Sequence, residues 1–263
     1  MSGRYAELTM YSAPAPVDAA NQHWLDRIMQ LLKQAREKPQ NLDSLALFRA
    51  PELVLAQTCG YPLVTQLRDQ VRVIGRPRYD LPDSTEGIHC SLIISRANDK
   101  REALADFKGS RGVVNDVHSN SGMNLFRHLL APLHENGRFF SSLGISGAHR
   151  QSLRWVKTER ADLAAIDSVT YAYLARYAPH EVAGLRVVAR TAPSPTLPYI
   201  TAQTSSHAEA ERIRAAMNTA LGQLPEVGAC LGIKEVLPAR PMDYQILLDY
   251  EHEAARQGFA TLC

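Results

Sequence analysis

The chain has 263 residues, 45% of them hydrophobic and 21% charged, with a formal net charge of +2. That composition belongs to a globular protein long enough for one large domain or two lobes. The near-neutral balance, without any Lys/Arg-rich run, excludes nucleic acid as a main partner, and no run of about 18 apolar residues offers a membrane span.

Met1-Ser2-Gly3-Arg4-Tyr5-Ala6-Glu7-Leu8 lacks the basic start, apolar stretch and small-residue cleavage site of a secretory leader. The expectation is a cytoplasmic protein, or a chain whose leader has been removed. Strand-like and helical segments then alternate, which predicts an α/β protein with mainly parallel sheets. The first strand is expected over residues 6–12. A helix over 18–38 follows, with Trp24, Ile28, Leu31, Leu32 and Ala35 at helical spacing and Asp18 as its N-cap. Strands are expected at 53–59, ending in Gly60-Tyr61-Pro62, and at 71–74 and 90–95. A short helix near 101–107 and a strand at 112–115 lead to the turn Asn115-Asp116-Val117-His118-Ser119-Asn120-Ser121-Gly122, and a helix begins after Ser121.

That turn has two readings. Unpaired N–H groups at a helix start, backed by Ser and Asn side chains, form a site for a small oxyanion. Equally, Ser119 or Ser121 serves only to cap the helix. Beyond it, the pattern predicts a strand at 139–145, a helix at 150–157, and strands at 163–167, 185–189 and 199–203. Helices at 206–223 and 242–257 complete the chain. Cys59, Cys90, Cys230 and Cys263 show no CxxC spacing, so neither a disulfide framework nor a zinc site is expected. Residues 95–98 and the proline-rich stretch 191–198 read as crossovers between lobes. The expected division is lobe I at 1–96 plus 189–263 and an inserted lobe II at 97–188, with a cleft where strand ends face helix starts.

Four motifs in order carry a resemblance: Cys59-Gly60-Tyr61-Pro62, Ser119-Asn120-Ser121-Gly122, Ser146-Gly147-Ala148-His149-Arg150-Gln151-Ser152 and Ala161-Asp162-Leu163-Ala164-Ala165-Ile166-Asp167. With the proline-bounded return Pro195-Thr196-Leu197-Pro198, the chain resembles the phosphate/phosphonate-binding proteins of ABC transporters over about residues 5–250. The resemblance implies a type II periplasmic-binding-protein fold, with two α/β lobes and a ligand cleft between them. It also implies that Ser119, Asn120 and Ser121 hold the phosphonate oxygens, that His149 reaches the same anion, and that Tyr61 lines the site. Tyr11, at the end of the first strand, takes a similar position. Asp167 matches an acid that faces the ligand's amino group in some relatives. Read from the residues alone, Asp167 binds an amine, caps the next helix or pairs with an arginine. His89 and His118 are weaker candidates near the cleft. His89 stands where many relatives carry an aromatic residue, and Asn120 replaces the threonine of the Ser-Thr-Ser form that some relatives show.

The physical chemistry of these side chains fits an oxyanion. A phosphonate loses its water only where several directed donors replace it, and hydroxyls, an amide, an imidazole and helix N–H groups supply those without a strongly positive pocket. The expected function is a non-catalytic solute-binding protein that closes on a small phosphorus oxyanion or organophosphonate and serves ABC-transporter membrane subunits, without itself inserting in the membrane. No catalytic residue, cofactor or metal is expected, since the chain holds no GxSxG, HExxH or P-loop. The alternatives are a cytoplasmic enzyme of menaquinone- or pyrimidine-pathway type, using His149 and Asp167 on a carboxylated substrate, and a ligand sensor.

Overall fold

The computed structural model describes residues 4–262; Met1, Ser2, Gly3 and Cys263 lie outside the described residues. In chain order the elements begin with β1 (Tyr5–Glu7), α1 (Ala15–Leu32), α2 (Ser44–Arg49), β2 (Leu53–Gln57), α3 (Gly60–Thr65), β3 (Val71–Leu81), β4 (Ser84–Thr85) and β5 (Ile88–His89). Next come β6 (Ser91–Arg96), β7 (Arg111–Val114), a π-helical turn (Asn120–Asn124) running into α4 (Leu125–Leu130), β8 (Ser142–Ile145), α5 (His149–Lys157), β9 (Leu163–Asp167), α6 (Ser168–Tyr177), α7 (Pro179–Val182) and β10 (Leu185–Arg190). The chain closes with β11 (Ser194–Pro195), β12 (Tyr199–Ala202), α8 (His207–Gln223), α9 (Pro225–Leu231), β13 (Ile233–Leu237) and α10 (Ile246–Arg256). No described helix is long and apolar enough to cross a membrane.

These elements form two compact units. One runs to Ile88 and resumes over Pro195–Tyr244; the other comprises His89–Ser194 and the chain from Gln245 onward. The division differs from the expected boundaries at both ends of the insertion. β6, which the sequence reading leaves in lobe I, pairs with β10 and belongs with it to the second unit. The C-terminal helix also leaves lobe I for the second unit, where Ala254 and Phe259 pack against Phe126 and Phe139.

The first unit is built on the sheet order β1-β2-β12-β3-β4-β5-β11, with β13 also paired to β3. Trp24 and Ile28 on α1 and Met217 on α8 are wholly buried. Trp24 Nε1 donates to the Met217 carbonyl (3.2 Å) while its ring stands edge-on to Tyr199. The helix start differs from the expectation. Pro14 is the N-cap residue and Asp18 lies inside the first turn, where its charge still favours the helix N-terminus. The first strand is likewise only three residues long, and turn structure replaces its expected second half.

The second unit has the sheet order β10-β6-β9-β7-β8. Its strands alternate between two cores. Ile93, Val114, Leu163 and Ala165 face α4 and the C-terminal segment, while Leu92, Ile94, Val113, Ala164 and Ile166 face α5 and α6. Burial on both faces is why these strands read as unbroken apolar runs. The sheets are mixed rather than mainly parallel. β7 runs parallel to β8 and β9, and β1 to β2, whereas β6, β10, β12 and β13 pair antiparallel with their neighbours. A parallel pair needs a crossover, which α4 supplies between β7 and β8, whereas β6 and β10 carry the chain out and back and pair antiparallel.

Candidate oxyanion site in the second unit

Because β7, β8 and β9 are parallel, their carboxyl ends lie together, the edge at which α/β sheets place ligands. β7 ends at Val114 and opens into the turn; β8 ends at Ile145, leading through Ser146 to His149; β9 ends at Asp167. β6 runs the other way, with Ser91 opposite Asp167, so it brings its beginning to this edge.

The turn is built by its own side chains. Ser119 is the N-cap: its hydroxyl accepts the Gly122 N–H (3.0 Å) and its carbonyl accepts the Asn124 N–H (3.0 Å). The capping reading is therefore met by Ser119. Ser121 does something else, its Oγ lying 2.9 Å from His149 Nε2. Asn120 Nδ2 donates to Ser194 Oγ (3.2 Å) and its Oδ1 accepts from Asn124 Nδ2 (3.3 Å). Ser119, Asn120 and Ser121 are all buried. Gly122 is required by close packing rather than by its φ angle, since a Cβ there would lie 1.7 Å from Asn115 Oδ1 and 3.2 Å from His149 Cε1.

Supporting residues that the sequence reading did not single out fix this turn from behind. Ser91 Oγ donates to the Ser121 carbonyl (2.8 Å), and Asn124 Nδ2 donates to the Leu247 carbonyl (2.9 Å). Arg127 reaches Asn124 Oδ1 (2.6 Å) and the Ala260 carbonyl (3.0 Å). Most of these partners lie far apart in sequence and so leave no local signal; Arg127 and Asn124, three residues apart, are the exception.

Asp167 takes one of the roles open to it, the cap: its Oδ1 accepts the Thr170 N–H (2.9 Å) at the start of α6, while its Oδ2 lies 2.8 Å from His89 Nδ1, a histidine rather than the expected arginine. Burial pushes its carboxyl upward, yet His89, His149 and the Thr170 N–H outweigh that and hold it below the ordinary range. Burial lowers the His149 imidazole; the Asp167 charge and the Ala165 backbone oppose this without reversing it. His149 is therefore neutral near pH 7. Its Nδ1 is buried without a hydrogen bond of normal geometry, so no carboxylate orients the ring as a base toward Ser121. Ser121 and His149 thus stand as a hydrogen-bonded pair, Oγ to Nε2.

The remaining candidates are separate. Tyr11 and Tyr61 belong to the first unit and are mostly buried. Tyr11 stands edge-on to Tyr79 at 6.5 Å, and Tyr61 lies in α3, where its carbonyl accepts from Thr65 Oγ1. His118 is exposed on the loop ahead of the turn, its N–H held by Asp116 Oδ1 (2.6 Å).

The sequence model of a family described as ABC transporter, phosphonate, periplasmic substrate-binding protein matches residues 44–244, well over half the chain. The chain belongs to that family. Solved structures agree in fold. A binding-protein component of an ABC phosphonate transporter from Pseudomonas aeruginosa aligns with TM-score 0.81 at 14% identity, over 98% of this chain and 88% of that one. PhnD1 from Prochlorococcus marinus, in complex with methylphosphonate, aligns with TM-score 0.75 at 15% identity over 96% and 98%. A Xanthomonas citri protein bound to ATP aligns with TM-score 0.66 at 16% identity over 97% and 96%. No curated protein sequence matches the chain. The fold is that of the periplasmic binding proteins, and the family is one of non-catalytic substrate-binding proteins for phosphonate transport.

Proposed function

We propose that this protein binds a small phosphorus oxyanion or organophosphonate at 119–121 and His149, with Tyr11 and Tyr61 contributing from the first unit, the two units closing on the ligand, and the complex serving an ABC transporter's membrane subunits. The observation that carries this reading is the 2.9 Å approach of Ser121 Oγ to His149 Nε2, which joins a capped turn on β7 to the helix start after β8. Hydroxyls, the Asn120 amide and the first N–H groups of the turn are the directed donors that a desolvated phosphonate needs. Family membership and the methylphosphonate-bound likeness support the same ligand class.

Isothermal titration with methylphosphonate, phosphate and phosphite tests it. At least one is expected to bind, and a ligand held at about 100 times its Kd should raise stability by about 2.7 kcal/mol. Ser121→Ala and His149→Ala are each expected to weaken binding about tenfold or more, the loss of one charge-assisted hydrogen bond. Binding of none of the three anions, or unchanged affinity in both variants, refutes the assignment.

A further inference from the structure

We infer that His89 is a second imidazole donor to the same oxyanion, and that its pairing with Asp167 reserves the site for phosphonates without an ammonium group. This rests on the oxyanion reading of 119–121 and His149.

His89 immediately precedes Cys90, whose N–H and carbonyl pair with Ser168 beyond the last registered step of β6 and β9. It therefore sits at the sheet edge where β7, β8 and β9 end. The residue is only 2% exposed. Its Nδ1 lies 2.8 Å from Asp167 Oδ2, and both ring nitrogens are buried without a hydrogen bond of normal geometry among the described residues. A polar atom so placed needs a partner that the protein itself does not supply. Asp167 Oδ2 stands against the Nδ1 side of the ring, which leaves Nε2 as the ring atom to meet an anion; in the doubly protonated ring both nitrogens donate.

The same pairing settles what Asp167 offers a ligand. One carboxylate oxygen takes the Thr170 N–H and the other lies 2.8 Å from His89 Nδ1. Asp116, on the loop ahead of the turn, accepts the His118 N–H. An aminoalkyl phosphonate brings an ammonium that must lose water, and the buried acid at this edge, Asp167, already faces His89 and Thr170. A methyl group carries no such cost.

Titration calorimetry of the full chain with methylphosphonate and 2-aminoethylphosphonate tests this. The wild type is expected to bind methylphosphonate at least tenfold tighter than the aminoethyl compound. His89→Gln is expected to weaken methylphosphonate binding about tenfold and to shrink or invert that preference, because Asp167 is released. A purely structural role for His89 would weaken both ligands alike. An unchanged affinity and preference in His89→Gln, equal weakening of both, or a wild-type preference for the aminoethyl compound overturns the inference while leaving the oxyanion reading intact. Binding of neither compound, nor of phosphate, overturns both. Should His89→Gln fail to fold, ring-nitrogen NMR of the ¹⁵N-histidine wild type decides: methylphosphonate is expected to shift a protonated His89 Nε2, and an unmoved resonance refutes the assignment.

Discussion

Gly122 shows how little room the turn leaves. A methyl group at this position overlaps Asn115 Oδ1 and presses on His149 Cε1. Gly122→Ala must therefore displace the ring that Ser121 contacts. Overpacking of this kind costs about 1–3 kcal/mol. The expected outcome is a modest fall in stability by urea unfolding and a loss of methylphosphonate binding greater than that of Ser121→Ala. Affinity equal to wild type would show that the turn does not hold the ligand. In the sequence this glycine is one small residue among several in a hydroxyl-rich stretch. The local pattern identifies the turn, and Ser119 as cap follows from ordinary helix chemistry. That Gly122 is pressed between Asn115 and His149 depends on two strands meeting, which no local pattern shows.

Among the elements, the second sheet divides its labour between its two ends. The carboxyl ends of β7, β8 and β9 carry the candidate site, whereas the opposite end of β9 carries Asp162, bonded to Arg96 (2.8 Å) and Arg111 (3.0 Å). Asp99 joins this cluster through Arg101 (2.6 Å). Removing one partner of a buried ionic network costs about 3–5 kcal/mol. Asp162→Asn is therefore expected to lower stability by about 3 kcal/mol in urea unfolding while leaving ligand affinity unchanged in titration calorimetry. The cluster also sets an acid limit. For Asp99, the bond from Arg101 outweighs burial and lowers the carboxyl from 3.8 to about 2. Its stabilisation is thus complete above 3.8, the ordinary value, and is lost as pH falls through about 2. Far-UV circular dichroism from pH 5, about a unit above the ordinary value, down to the folded-state midpoint of about 2 should show steepening acid lability that Asp99→Asn flattens.

The strands of this sheet were legible because both faces are buried, so β6 and β9 are nearly continuous Leu, Ile and Ala. Other elements were not. In α3, Gly60 and Pro62 read as a turn. In α6, Val169, Thr170, Tyr171 and Tyr173 favour strand over helix, and the helix forms there with Asp167 bonding the Thr170 N–H.

For the molecule as a whole, the second unit holds Ser119, Asn120, Ser121, His149 and Asp167, while Tyr11 and Tyr61 belong to the first. Under the proposed function both units contribute to affinity. Tyr61→Phe and Tyr11→Phe, which remove only a hydroxyl, are each expected to weaken methylphosphonate binding about three- to tenfold, the scale of one net hydrogen bond. Titration calorimetry checks this, and wild-type affinity in both variants would confine the ligand to the second unit.

What the sequence determined by itself is local: the alternation of strands and helices, the composition of the turn at 115–124, the Ser206–Glu209 capping box that opens α8, and the ordered motifs that mark the family. Periodicity and capping act over a few residues, so a chain displays them before it folds. Only the tertiary structure decided that β6 runs antiparallel into the site edge, that Asp167 pairs with His89, that His149 meets Ser121, and that the C-terminal helix braces the turn through Leu247. Those partners are separated by 28 to 123 residues. Their meeting is fixed by strand pairing and burial, which leave no trace in the local order of residues.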